Sequence, residues 1–261
     1  VWYRKPSLPI KESLPVSTDH ADYCYSALKQ HFEWLFDQFE DAFWISSCEA
    51  LIKARNKPLQ LAIAKRLGFA VPDTCITADP AAAQSFLDTH STAIIKPVAD
   101  RGLTIIKPGE EPRHFFFATR IKKGQKVDLT NLALAPSFFQ QAVEDIKADI
   151  RVSVVIDKVF ATAITGSRGD HESVRDWRVG HFNDTIRFKA HTLPKDIADK
   201  CVAHVQALGL TFGALDLVLD KHGIYWFLEN NGNGQWAFVD DKTTGRISKS
   251  IAAALLAGKP Q

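Results

Sequence analysis

Side chains that can offer oxygen ligands are grouped near the C-terminal end of the sequence: Asp216, Glu229 and Asn231. They belong to a predicted β-hairpin, because alternating and β-branched residues flank the turn-forming residues Asp-Lys-His-Gly at 220–223. If the turn closes symmetrically, Asp216 pairs with Phe227, and the period of two places Glu229 and Asn231 on the same face. Magnesium prefers carboxylate and amide oxygens, so the pattern predicts a metal site. An edge hairpin whose acids face water is the alternative.

Lysines and a polar strand end indicate phosphate and nucleotide binding. Lys96 lies inside the apolar run IIKPV, where a surface role is hard to accommodate, whereas Lys57 starts a predicted helix and fits a surface lysine equally well. Ammonium groups neutralise phosphate charge, and the backbone of a strand edge such as 140–144 can hydrogen-bond adenine. The sequence contains neither GxxxxGK[ST] nor GxGxxG, which excludes a P-loop and the dinucleotide fingerprint.

Helices and strands alternate along the chain and would position these residues. Apolar spacing predicts helices over 21–39, 56–67, 80–87, 195–208 and 247–257, and strands over 71–77, 93–98, 136–143, 148–156 and 159–164. The glycine-rich, charged segment 165–175 is typical of a flexible lid. Arg168, His171 and Arg175 in that segment could contact substrate, although solvated charges are the simpler interpretation.

The composition is that of an ordinary globular protein. The 261 residues are 46% hydrophobic and 24% charged, which suits one large or two interlocked α/β units. A net charge of +2 gives no argument for nucleic acid or an anionic membrane as a partner. No apolar run reaches membrane-spanning length. The scattered cysteines show neither metal-ligand nor disulfide spacing, which predicts a reduced, cytoplasmic protein.

Five segments, taken in order, resemble the nucleotide-binding segments of the ATP-grasp ligases: NKPLQLAIAKRLGFAVPDTCIT, IIKPV, FFQQAVEDIKADIRVSVVIDKVFATAI, DWR and GALDLVL…WFLENNGNGQW. Within that superfamily, VWYRKP, DWR and the NGQW ending look most like the graspetide (microviridin-type) branch, which macrocyclises ribosomally made peptides. The resemblance spans residues 1–257. It departs from the branch at Asn230, where an aliphatic residue is usual, and at Gly232, where a proline is usual.

The resemblance implies a nucleotide-binding role for several residues. Lys57 and Lys96 would contact the ATP phosphates, and Asp149 would hydrogen-bond the ribose hydroxyls, with a solvated acid at the strand start as its alternative. The backbone of the adenine-reading edge would come from Gln141, Ala142 and Val143, with Glu144 beside it.

The resemblance also implies the roles at the phosphate end. Arg178 of DWR would face the transferred phosphate or the acyl phosphate, unless it only forms a salt bridge with Asp176. Asp216, Glu229 and Asn231 would hold magnesium, as two ions. Gln235 and Trp236 could shape the substrate side, although Trp236 fits a core position equally well.

The implied fold is the α+β ATP-grasp fold, in which two α+β subdomains grip ATP between antiparallel sheets. Expected boundaries are 1–55 for a remnant of the N-terminal pre-ATP-grasp or substrate domain, 56–140 for the central subdomain and 141–261 for the C-terminal subdomain. The Rossmann-like N-terminal domain of that fold is expected to be largely missing from this chain.

The implied activity is an ATP- and Mg²⁺-dependent carboxylate ligase. An Asp or Glu side chain of a peptide would become an acyl phosphate, and a hydroxyl or amine would attack it to give an ester or amide, ADP and phosphate. No convincing Ser-His or Cys-His set is present, in agreement with chemistry that needs no enzyme nucleophile. The expected partner is a ribosomal precursor peptide, and the chain could form a homodimer. A free-standing amino-acid or glutamyl ligase, a kinase and a non-catalytic nucleotide-binding protein of the same fold are the alternatives.

Overall fold

The described part of the chain forms two main antiparallel sheets with helices packed against them. A computed structural model describes residues 1–4, 8, 11–39, 41–98, 104–105, 113–114, 118–166, 186–241 and 245–258. The helices are α1 (Thr18–Asp37), α2 (Cys48–Ala54), α3 (Lys57–Arg66), α4 (Pro80–Thr89), α5 (Lys195–Ala207), α6 (Ala237–Asp240) and α7 (Arg246–Ala257). The strands are β1 (Thr74–Thr77), β2 (Thr92–Pro97), β3 (Thr104–Ile105), β4 (Arg113–His114), β5 (Thr119–Lys122), β6 (Ser137–Gln141), β7 (Ile146–Val155), β8 (Lys158–Thr165), β9 (Arg187–His191), β10 (Phe212–Asp220) and β11 (Tyr225–Asn231). No helix in this part of the chain is long and apolar enough to span a membrane.

The larger sheet contains five strands in the order β11–β10–β7–β8–β9. One face packs on α2, α3 and α5, and Val152, Leu215 and Leu217 are completely or almost completely buried there. On the other face, α6 and α7 cover one end around Phe212 and Ala214. The remaining end of that face carries the polar residues of the candidate site.

The smaller sheet contains four strands in the order β1–β6–β2–β5. α4 covers one face, where Ala83 and Leu87 pack against Phe139. α4 begins where Asp79 accepts a hydrogen bond from the backbone N–H of Ala81 at 2.9 Å. Side chains alternate along a strand, so Lys96 of β2 and Gln140 of β6 lie on the uncovered face.

A short linker, residues 142–145, joins β6 of the smaller sheet to β7 of the larger one. Glu144 pairs with Arg120 of β5 at 2.8 Å, and Asp145 pairs with Lys221, in the β10–β11 turn, at 3.0 Å. The backbone N–H of Lys221 also donates to the carbonyl of Asp145 at 2.9 Å. The linker is therefore attached to both sheets through consecutive acidic residues.

Candidate active site

A cleft between the uncovered faces of the two sheets brings together most of the residues predicted to bind nucleotide and metal. The smaller sheet and the linker contribute Lys96, Gln141, Ala142 and Val143, and the larger sheet contributes Asp149, Asp216 and Glu229. The lining also includes Ile94, Ala118, Gln140, Ile146, Arg151, Ile164, Leu217, Val218 and Leu228. Both sheets thus contribute apolar side chains to the cleft, and its charged side chains carry both signs.

The β10–β11 hairpin places Asp216 opposite Glu229, so the predicted pairing of Asp216 with Phe227 is wrong. The register shifts between Asp216 and Leu217: Leu217 pairs with Phe227, and Leu228 is the extra residue of a β-bulge. Phe227 therefore faces the core, where it is fully buried and its ring lies 5.6 Å from that of Phe69. Burial of this large ring on the helix side explains why the symmetric register is not adopted.

Three charged side chains form a row across neighbouring strands, with Arg151 on β7, Asp216 on β10 and Glu229 on β11. Arg151 Nη1 donates to Asp216 Oδ1 at 2.6 Å, and Arg151 Nη2 donates to the carbonyl of Gln235 at 3.2 Å. The sequence interpretation did not include Arg151, although its position two residues after Asp149 in ADIRV places both on one strand face.

Asn231, the remaining predicted metal ligand, pairs with Ala214, two residues before Asp216, and so lies on the same face. Its Oδ1 accepts a hydrogen bond from the backbone N–H of Asn233 at 2.9 Å, and Asn231 does not line the cleft. Two carboxylates and a neighbouring amide oxygen form a donor set that fits Mg²⁺. Among the described residues, no group of three or more His, Cys, Asp or Glu side chains could hold a metal ion.

Lys96 is the cation that the smaller sheet contributes to the described lining of the cleft. Its Nζ donates to Gln140 Oε1 at 3.0 Å and lies 4.5 Å from the centroid of the Phe138 ring. Burial lowers the pKa of Lys96 to about 8; the charge of Lys57 adds to this effect, and the negative charges of Glu229 and Asp216 oppose it. A buried ammonium group between a carboxamide and carboxylates is arranged to receive an anion.

Lys57 and the adenine-reading edge lie close to Lys96. Lys57 Nζ, in the first turn of α3, is 3.5 Å from the carbonyl of Pro97, at the end of β2. The backbone N–H groups of Gln141 and Ala142 donate to the carbonyls of Asp73 and Thr92. These two N–H groups are therefore already engaged. An adenine bound at the 141–143 edge would accept a hydrogen bond from the N–H group of Val143.

A buried polar network fixes the strand that carries Glu229. The side chain of Gln60, on α3, accepts from the backbone N–H of Asn230 at 2.7 Å and donates to its carbonyl at 2.9 Å. His204, on α5, lies 3.0 Å from the carbonyl of Gln60 and 3.2 Å from Asn230 Nδ2. Burial lowers the pKa of His204 and favours the neutral ring. Asn230, a departure from the graspetide pattern, is thus held inside the core through its backbone groups and its side-chain nitrogen.

Gly232, the other departure, lies where a side chain would meet the core. A Cβ atom at this position would be 2.8 Å from Leu210 Cδ2 and 3.0 Å from Leu51 Cδ2. The remaining predicted catalytic residue, Arg178, lies outside the described residues, as do Arg168, His171 and Arg175.

Solved structures share this arrangement of two sheets around a cleft. The RiPP-associated ATP-grasp ligase of Chryseobacterium gregarium, in complex with ADP and a leader and core peptide, is 27% identical, and the match covers 100% of this chain and 77% of that one with a TM-score of 0.84. The chain belongs to the ATP-grasp superfamily. The resemblance and the ATP-grasp fold predicted from the sequence are thereby confirmed.

Two macrocyclases from Microcystis aeruginosa MRC are also similar to this ATP-grasp chain. MdnB is 26% identical, and its match covers 98% of this chain and 76% of MdnB with a TM-score of 0.75. MdnC, bound with the precursor peptide MdnA, is 22% identical, and its match covers 98% of this chain and 77% of MdnC with a TM-score of 0.76, which shows the shared fold. No protein-family profile and no curated protein matches the sequence.

Proposed function

We propose that this ATP-grasp chain is an ADP-forming ligase that uses ATP and Mg²⁺ to activate an Asp or Glu side chain of a peptide. A hydroxyl or amine of the same peptide then attacks the acyl phosphate, which yields an ester or amide crosslink and phosphate. The observation that carries this proposal is the cleft in which Lys96 faces the row of Asp216 and Glu229. Cations and metal-binding carboxylates at one place are what phosphoryl transfer requires.

The nucleotide roles follow the order of residues along the cleft. The 141–143 edge binds adenine, Asp149 binds the ribose hydroxyls, and Lys96 binds the phosphates with Lys57 nearby. Glu144 is proposed beside the adenine, at the rim, where it pairs with Arg120.

Asp216, Glu229 and Asn231 are proposed to hold magnesium. When bound, magnesium neutralises phosphate charge and orients the reacting phosphoryl group. Lys96 holds the phosphate oxygens from the opposite sheet, so the chain contributes positioning and charge stabilisation and no covalent nucleophile. Arg178 is proposed to face the transferred phosphate.

The peptide substrate is supported by the similar structures, because the Chryseobacterium gregarium enzyme is in complex with a leader and core peptide and MdnC is bound with a precursor peptide. We therefore expect the substrate of this chain to be a ribosomal precursor peptide. The reaction proposed for this chain consumes ATP, which supports the proposed cytoplasmic location.

Mass spectrometry of a co-encoded small peptide, incubated with the protein, ATP and Mg²⁺, tests the proposal. A ligase produces peptide that has lost one water for each crosslink, together with ADP and free phosphate. A stable phosphopeptide with ADP and no free phosphate would show a kinase, and nucleotide binding without turnover with any acceptor would show a non-catalytic protein. Crosslinking of free amino acids alone would show the amino-acid or glutamyl ligase.

The subdomain division and the oligomeric state are proposals as well. We divide the chain at 1–55, 56–140 and 141–261, and the strands of the smaller sheet, which end at Gln141, support the second boundary. Limited proteolysis should cut near these boundaries. We propose a homodimer, which light scattering after size-exclusion chromatography tests directly.

A further inference from the structure

Arg151 is a buried cation that the nucleotide and metal roles leave unexplained. Only about 10% of its side chain is exposed, and its guanidinium group lies 5.7 Å from the centroid of the Phe238 ring. A buried charge is costly unless it is paired, so the partners of Arg151 indicate why it is present. They are Asp216 Oδ1 and the carbonyl of Gln235.

These partners belong to different parts of the site. Asp216 is a proposed magnesium ligand on β10, whereas Gln235 lies in the loop after β11, on the predicted substrate side. The guanidinium group reaches both because its Nη atoms project in different directions in one plane. A lysine ammonium at this position keeps the charge but is a compact donor group that lacks this fork.

The loop 231–235 is attached to the metal side at both of its ends. At its start, the side chain and the carbonyl of Asn231 accept hydrogen bonds from the backbone N–H groups of Asn233 and Gly234, at 2.9 and 3.1 Å. At its end, Arg151 holds the carbonyl of Gln235. Arg4 also donates to the carbonyls of Asn233 and Gly234, but Arg151 is the side chain that contacts both Asp216 and this loop.

We propose that Arg151 is a positioning residue that couples the metal-binding carboxylate Asp216 to the substrate-side loop 231–235. This inference rests on the proposed function. Arg151 engages Oδ1 of Asp216 and so restricts the orientations that this carboxylate can take. Arg151 thereby orients the carboxylate and, through its contact with the carbonyl of Gln235, sets the loop in the position that receives the peptide.

The variants Arg151→Lys and Arg151→Met separate the two contacts. The lysine variant keeps a cation beside Asp216 and loses the simultaneous contact with Gln235, and the methionine variant loses both. We expect Arg151→Lys to bind Mg²⁺–ADP within about threefold of wild type, and Arg151→Met to bind it about tenfold or more weakly. Arg246→Lys is the matched control, because Arg246 packs over Phe160 and does not line the cleft.

The decisive measurement is hydrogen exchange of peptides that cover 231–241, with and without Mg²⁺–ADP. Wild type and Arg246→Lys should gain protection in this loop when Mg²⁺–ADP binds, whereas Arg151→Lys should bind Mg²⁺–ADP without that gain. With a crosslinkable peptide, Arg151→Lys should raise the KM for peptide about tenfold while the KM for ATP changes little. Melting temperatures of the lysine and control variants should match that of wild type.

Equal protection of the loop in Arg151→Lys and wild type would overturn the coupling, and so would an equal loss of Mg²⁺–ADP affinity in the lysine and methionine variants. If Arg151→Met does not fold, the loop protection measured in Arg151→Lys alone tests the coupling, because the lysine variant retains the buried charge pair. The exchange measurement needs no turnover. Loop protection without any crosslinked product would therefore count against the proposed ligase function and leave the coupling intact.

Discussion

Asp216 and Glu229 lie directly opposite each other on β10 and β11 because Leu228 is bulged out of the ladder. A shift of one residue in a strand moves its side chains to the other face of the sheet. The bulge lets Phe227 point into the core and Glu229 point into the cleft on the same short strand. The pair of carboxylates is thus a product of local register.

Removal of either carboxylate charge should abolish the proposed reaction and preserve the fold. Glu229→Gln and Asp216→Asn keep size and hydrogen bonding, but an amide is a weaker ligand for Mg²⁺ than a carboxylate. We expect product formation to fall by about 100-fold or more, with a far-UV circular dichroism spectrum like that of wild type. Glu33→Gln, on the exposed surface of α1, is the control. Full turnover in both site variants would refute the metal assignment.

Nucleotide affinity should fall as the pH rises through about 8, the pKa to which burial lowers Lys96. Below this pH the ammonium group is charged and attracts phosphate, whereas above it the free protein must take up a proton on binding. The Kd for Mg²⁺–ADP should therefore rise by up to about tenfold per pH unit above 8. Isothermal titration between pH 7 and 9 measures this slope, which should disappear in Lys96→Met and in Lys96→Arg. An unchanged slope in Lys96→Met would assign the titration to another group.

The same burial makes Lys96 a cost to the stability of the nucleotide-free protein. The pKa is lowered from 10.5 in the unfolded chain to about 8 in the folded one, so between these values the unfolded state binds more protons and stability rises with pH. Below pH 8 the cost is fully present. Lys96→Met should raise the free energy of unfolding at pH 7 by about 1 to 3 kcal/mol, and by less at pH 10. Urea denaturation checks this, with Lys65→Met, an exposed position on α3, as the control.

Gln60 should matter for stability more than an ordinary helix residue, because it satisfies both backbone polar groups of Asn230. Gln60→Leu leaves these groups buried without partners and should lower the free energy of unfolding by about 2 to 4 kcal/mol. It should also weaken Mg²⁺-dependent nucleotide binding, since Glu229 precedes Asn230. Gln84→Leu, on the exposed side of α4, should change neither quantity. A Gln60→Leu protein as stable as wild type would contradict this assignment.

Gly234 lies where the substrate-side loop passes close to β10. A Cβ atom at this position would be 2.4 Å from Ala214 Cβ and 3.1 Å from the carbonyl of Asn231. Gly234→Ala should therefore displace the loop and destabilise the protein by about 1 to 3 kcal/mol. In the double variant with Ala214→Gly, part of this loss should be recovered, since the main steric conflict is removed. Additive effects of the two substitutions in denaturation experiments would show that they do not interact.

Much of the fold follows from local patterns in the sequence. Amphipathic spacing correctly predicted α1, α3, α5 and α7, and alternation correctly predicted β7 and β8, with ends that differ by only a few residues. Asp216, Glu229 and Asn231 share one face as predicted, but the period of two accounts only for the relation of Glu229 to Asn231. Glu229 shares the face of Asp216 because of the bulge at Leu228. The roles predicted for the site residues, those of Lys57 and Arg178 included, stay predictions.

The register of the β10–β11 hairpin depends on distant parts of the chain, and so do the hydrogen-bond partners of the site residues. The bulge at Leu228 is favoured because it lets Phe227 pack against Phe69, which lies more than a hundred residues earlier in the chain. Arg151 is 65 residues from Asp216, and Gln60 is 170 residues from Asn230. Propensity and spacing carry no information about such contacts, which arise only when the sheets and helices are packed together.

Two ion pairs attach the linker 142–145 to the two sheets, one pair to each sheet. Glu144 is held by the smaller sheet and Asp145 by the larger one, so rotation of one sheet relative to the other strains both ion pairs. Glu144, Asp145 and Lys221 are all exposed, and dissolved salt screens exposed charges over about 8 Å at physiological ionic strength. Higher ionic strength should therefore weaken these ion pairs and loosen the attachment of the linker to the two sheets.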